Sequence, residues 1–164
     1  MQKRKVIIGS VIALVLVGGW YLFRPELLFV TKTVNEGLPG ATGPNNGQQM
    51  ASLKPLSQGN FHGLAHETKG TATIYGGSNG RQIIRFTGFE TSNGPDVHVY
   101  LVAANDARDN ETVTRSGFID LGSLKGTQGD QNYEIPAGTD LSRYRAVSIW
   151  CRRFGVNFGT APLA

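Results

Sequence analysis

From Phe61 onward the chain is a succession of short runs in which apolar and polar residues alternate, separated by glycine-rich turns. Period-two alternation is the mark of half-buried strands, and it predicts them at Thr71–Tyr75, Arg81–Phe89, Val97–Ala103, Gly117–Leu121, Asn132–Ile135, Arg145–Cys151 and Val156–Thr160. The segments Gly76-Gly77-Ser78-Asn79-Gly80 and Ser92-Asn93-Gly94-Pro95 supply residues that accept positive φ or fix turn geometry. No helical periodicity is visible in this region. Seven strands over about 100 residues predict an all-β fold, an antiparallel β-sandwich or barrel-like domain. Parity assigns faces: Ala72, Ile74, Ile84, Phe86, Val97, Val99, Leu101, Val147 and Ile149 point inward, while His98 and Tyr100 point the other way. His98 is then a half-exposed strand residue, and Trp150 lies on the outer face or in a second small cluster.

The front of the chain follows a different rule. Val6 to Phe23 carries no charge and, as a helix rising about 1.5 Å per residue, would span roughly 27 Å of hydrocarbon. Lys3, Arg4 and Lys5 precede it, and Trp20 and Tyr21 lie near its far end. That arrangement predicts a single-pass anchor in the cytoplasmic membrane, amino terminus inside, domain facing the periplasm or cell exterior. A cleaved signal peptide competes, with Val17-Gly18-Gly19 offering small residues, but the apolar run exceeds the usual signal core of about 7–15 residues.

Between anchor and strands the composition shifts twice. Leu27 to Glu36 either lies on the membrane or docks back on the domain. Gly37 to Asn60 is rich in Gly, Pro, Asn, Gln and Ser, lacks aromatic residues and reads as a flexible tether of roughly 25 Å root-mean-square span. The organisation expected is residues 1–24 as basic tip and anchor, 25–57 as juxtamembrane segment and linker, and 58–164 as the β domain.

The net charge of +4 changes meaning once it is divided by region. Lys3, Arg4, Lys5 and Arg24 are four of the 16 basic residues, leaving 12 against 12 acidic ones beyond the anchor. The basic balance belongs to the anchor, and nucleic acid is not an expected partner.

Candidate chemistry is sparse. Cys151 is the one thiol, so no internal disulfide forms. One reading makes it a small buried core residue. The other makes it a redox or metal-binding sulfur, favoured as thiolate by Arg152 and Arg153. A mononuclear metal site built from His66, Cys151 and Asp96 is chemically admissible, whereas the spacing of His62 and His66 is weak evidence on an extended segment. No Gly-x-Ser-x-Gly elbow and no phosphate-binding loop occurs. Asp106 and Asp109 belong to a polar loop with Asn105, Arg108 and Asn110, solvated or at most a weak calcium binder.

Three segments together resemble a known family: His66 to Tyr75 (His-Glu-Thr-Lys-Gly-Thr-Ala-Thr-Ile-Tyr), Gly94-Pro95-Asp96, and Ser148 to Gly159 (Ser-Ile-Trp-Cys-Arg-Arg-Phe-Gly-Val-Asn-Phe-Gly). They resemble the electron-transfer DM-thirteen domain over roughly Gln58 to Leu163. The resemblance implies a β-rich extracellular domain whose characteristic cysteine, here Cys151, takes part in redox chemistry, with Trp150, His66 and Asp96 as motif neighbours. In animals such domains accompany DOMON and cytochrome-b-type modules. This chain has neither and no second cysteine, so electrons would have to pass to or from a separate redox partner protein, metal or small molecule. The expectation is thiol-based redox or electron transfer centred on Cys151, and the alternative a non-catalytic binding or adhesion module in which Cys151 is core packing.

Overall fold

The computed structural model describes residues 2–23, 30–39, 53–77 and 80–164, with side chains of the first helix described for 7–21. Helix α1 spans Gln2–Phe23, and its Ile7, Ile8, Val11, Ile12, Leu14 and Val15 are all exposed. Among the described residues no helix is long and apolar enough to cross a membrane.

The strands form two antiparallel sheets. The first runs β1 (Lys54–Asn60), β3 (Lys69–Gly76), β4 (Gln82–Glu90) and β7 (Gln128–Ile135). The second runs β2 (His62–Gly63), β9 (Val156–Pro162), β8 (Ala146–Cys151), β5 (Val97–Val102) and β6 (Phe118–Ser123). Every residue assigned inward by parity lies in one buried cluster between the sheets, joined by Phe61, Phe89, Tyr133, Phe158 and Ala161. Phe61 meets Phe86 edge-on at 4.9 Å, the geometry that aromatic quadrupoles favour.

Strand β1, helix α2 and the start of β7 escaped the alternation, each for a physical reason, and β2 at two residues is too short to alternate. Strand β1 starts at Lys54, within the stretch that reads as tether, because backbone pairing with β3 holds it while most of its side chains stay exposed. Pro55 suits this edge position, where one row of main-chain groups needs no partner. Helix α2 (Asn110–Ser116) replaces part of the expected polar loop; at under two turns with one buried residue, Val113, it has no apolar stripe to detect. Its signal is a cap: the Asp109 carboxylate accepts the Thr112 amide at 2.6 Å, which holds the Asp109 carboxyl below its ordinary range. Strand β7 begins at Gln128, four residues before the predicted start, through polar residues whose partners are internal. Gln131, fully buried, exchanges hydrogen bonds with the Gly126 backbone and accepts from the Tyr133 hydroxyl at 2.7 Å.

Residues 32–36, before the first strand, dock on the domain. Val34 and Glu36 amides donate to Gln128 and Asp130 carbonyls at 2.9 and 2.8 Å, and the Gln128 amide returns a bond to Lys32, so 32–36 lines the otherwise open edge of β7 in parallel. Covering an edge removes a template for unwanted pairing. Glu36 locks the strap through Lys125 at 2.8 Å and the Asn132 amide at 2.7 Å, and Arg85 donates to the Glu36 carbonyl at 2.8 Å. Gly129 permits the close approach: its φ is +96°, and a Cβ there would collide with the Val34 carbonyl oxygen.

Gly129→Ala should therefore cost about 2 kcal/mol and strip hydrogen-exchange protection from the Val34 and Glu36 amides, leaving the β3–β4 amides protected. Acid should loosen the same contact. Partial burial pushes the Glu36 carboxyl up, but Lys125 and Asn132 more than offset it, so the group sits below the usual glutamate range. The stabilisation is then present above the unfolded-state value and lost as pH falls through the lower folded-state one. The protection of the Val34 amide, relative to its intrinsic exchange at each pH, should fall from neutral to acid pH, and Glu36→Gln should abolish that fall.

Candidate functional site

Strand β8 is buried along its whole length, with both faces covered. Its odd-numbered side chains Val147, Ile149 and Cys151 enter the inter-sheet core, and its even-numbered ones face outward. Cys151 has no accessible surface and is unpaired. Arg152 follows the outward parity, so the sequence neighbour expected to favour a thiolate is directed away from the sulfur, into an acid–imidazole cluster.

That cluster is built on His98, which is 7% exposed, not half-exposed as alternation alone suggested. Its neighbours Asp96, Asp120, Ser123 and Arg152 close around the ring, while Ala107 and Val113 cover Tyr100 and Trp150 farther along the same face. The two ring nitrogens face different carboxylates: Nδ1 lies 2.9 Å from Asp120 and Nε2 3.1 Å from Asp96. Ser123 Oγ is 3.3 Å and Arg152 Nη1 3.4 Å from Nε2. Arg152 also stands 3.8 Å from each carboxylate, and its backbone amide donates to the Asp96 carbonyl at 2.9 Å.

Beside the cluster lies an aromatic group. Tyr100 stacks on Phe118 with ring centroids 4.1 Å apart and planes 4° apart, and Trp150 continues the stack at 6.1 Å and 22°. Tyr100 and Trp150 are buried, while Phe118 is 42% exposed and gives the group an outlet to solvent. Trp150 thus lies in the second small cluster that its parity permitted. Burial raises the Tyr100 hydroxyl above the ordinary phenol range, and the Asp120 and Asp96 carboxylates add to that while Arg152 opposes it. Below the rings, Ser148 donates to Asn157 Oδ1 at 2.9 Å and Asn157 donates to the Ala107 carbonyl at 2.7 Å, pinning the covering loop.

The other candidates separate. His66 packs on the Phe158 ring at 4.0 Å, Asp96 faces His98 and Arg152, and Cys151 points into the core. Among the described residues, no three His, Cys, Asp or Glu side chains are grouped to hold a metal ion. His62 Nε2 meets Asp106 at 3.3 Å, Asp106 also accepts from Arg108 at 2.8 Å, and Asp109 is occupied as a helix cap. Tyr100, Phe118, Asp120 and Arg152, which the sequence did not single out as a site, share one sheet face. Parity turned Tyr100 outward and kept Trp150 off the core face, but the pairing of β5 with β6 that sets Tyr100 opposite Asp120 has no local signature.

The description Electron transfer DM13 matches residues 60–163, nearly the whole two-sheet unit. The chain belongs to the electron transfer DM13 family. No curated protein and no solved structure matches it. The match begins inside β1, so the docked strap at 32–36 lies outside the span that defines the DM13 domain. Within that span both Cys151 and the outward cluster are DM13 residues, and only the cluster reaches the surface.

Cys151→Ser places a hydroxyl in the inter-sheet core and should lower unfolding stability by about 1–3 kcal/mol, seen as a lower urea midpoint. In the native protein a thiol reagent should label Cys151 only at the rate of unfolding. Rapid stoichiometric labelling without denaturant would contradict the burial described here.

Proposed function

We propose that this chain is a membrane-anchored, extracytoplasmic electron-transfer domain whose electron-handling surface is the outer face of β5, β6 and β8. Membership of the DM13 family supports electron transfer. Support for the anchor comes from the uncharged run Val6 to Phe23 behind Lys3, Arg4 and Lys5, and from the exposed apolar side chains around α1.

The observation that carries the reading is the ring stack leading from buried Tyr100 to exposed Phe118. A one-electron oxidant docked at Phe118 would take one electron from the Tyr100 ring, and the hydroxyl proton would pass to the Asp120 carboxylate opposite it. A one-electron donor then restores the phenol, and the proton returns. His98 and the Gly122 amide hold Asp120 Oδ1, at 2.9 and 2.8 Å, and fix the carboxylate in place on that face. The partner is a separate redox protein or small molecule. Cys151 serves as packing in this reading. A sulfur-centred version requires Sγ to meet its partner, which a fully buried thiol does only from an opened state of β8 and β9.

A flash-quench experiment with a photo-oxidised ruthenium complex tests this. The native protein should give a tyrosyl radical by transient absorption, Tyr100→Phe should lose most of it while keeping the fold, and Tyr144→Phe should retain it. Cys151→Ala should also retain it. Loss of the signal in Cys151→Ala alone would return the role to sulfur, and an unchanged signal in Tyr100→Phe would leave a binding module.

A further inference from the structure

The end of the sandwich that the anchor segment reaches is apolar and basic at its tip. From Phe23 to Val30 the chain extends to at most about 25 Å. At Val30 the path is fixed: its carbonyl accepts from Asn93 at 3.2 Å, and it lines one groove with Gly94, Pro95 and Ser123. The same end carries the start of β5, the end of β8 and the start of β9, tied together where the Arg152 amide meets the Asp96 carbonyl. The β8–β9 turn projects from it as Arg152-Arg153-Phe154-Gly155, with Gly155 at φ 62°. Phe154 is 58% exposed, the largest value for a phenylalanine among the described residues, and Val30 and Leu64 add exposed apolar surface at 48% and 38%. Leu64 belongs to this end because its amide donates to Phe158, early in β9. Arg152, Arg153 and Lys32 are exposed around them. The acidic groups here are engaged, Asp96 with His98 and Arg152 and Glu67 with Lys69.

We propose that this tip rests on the lipid surface, with Phe154 in the interfacial region and Arg153 and Lys32 against anionic headgroups. The inference builds on the anchor reading above and adds a contact that an anchor alone does not require. An aromatic ring at a turn apex flanked by arginines is suited to the interface, where the ring leaves water while the guanidinium stays with phosphate. The strap strengthens the case, since 32–36 is bound along β7 and cannot act as slack between helix and sheet. The stretch Gly37 to Asn60 then sets no distance between domain and bilayer: it departs from the docked strap and returns as β1.

The test uses the full chain reconstituted in vesicles of phosphatidylcholine with phosphatidylglycerol, in a Cys151→Ala background. Spin labels are attached at Phe154→Cys, at Ala137→Cys on the opposite end, and at Leu14→Cys in α1. Collision with oxygen against a nickel chelate should place the label at 154 at the headgroup boundary, that at 137 in water and that at 14 deep in lipid. Omitting phosphatidylglycerol should move 154 toward water and leave 14 in place. A label at 154 as water-accessible as that at 137, with 14 still deep, overturns the docked tip while leaving the anchor intact. A label at 14 found in water overturns the anchor reading and this proposal with it.

Discussion

Burial of both faces of β8 and β5 governs the chemistry of this domain, because it turns a one-residue step along the strand into a change of environment. Trp150, Cys151 and Arg152 are consecutive, yet the first and third look out onto rings and carboxylates while the second is enclosed between the sheets. A strand exposed on one face would offer its polar residues to bulk water. Here α2 and its approach loop cover Tyr100 and Trp150, and beside them the buried imidazole of His98 takes its partners from two half-exposed carboxylates and a guanidinium. The two ring nitrogens each find a different acid.

The covering loop is what makes that face a site. Asn157 fastens it through the Ala107 carbonyl, and its own amide is held by Asn110 Oδ1 at 2.8 Å. Ala107 and Val113 then exclude water from Tyr100 and Trp150, leaving Phe118 as the outlet. The domain therefore separates a sealed thiol from a ring stack that communicates with the surface.

The strap fixes residues 32–36 along one edge of the domain. Parallel pairing along β7, fixed by Glu36 and made possible by Gly129, converts what would be a loose connection into a bound strand. The strap enters beside Asn93 and Val30, at the end of the sandwich that bears Phe154. The chain segment outside the family match thus determines how the DM13 domain is presented.

The sequence by itself determined the all-β class, most of the strands, the inward residues and the family, because period-two alternation and a dense local motif are written in neighbouring positions. Parity even kept Trp150 apart from the main core. It did not yield β1, which is held by main-chain bonds and leaves no apolar trace, nor α2, which is too short for a stripe. Only the tertiary structure decided that Arg152 serves Asp96 and Asp120 instead of the thiol, that His98 is covered, and that residues 32–36 form a strap. Each depends on which strands lie side by side and what covers them, contacts between residues tens of positions apart that no local pattern encodes.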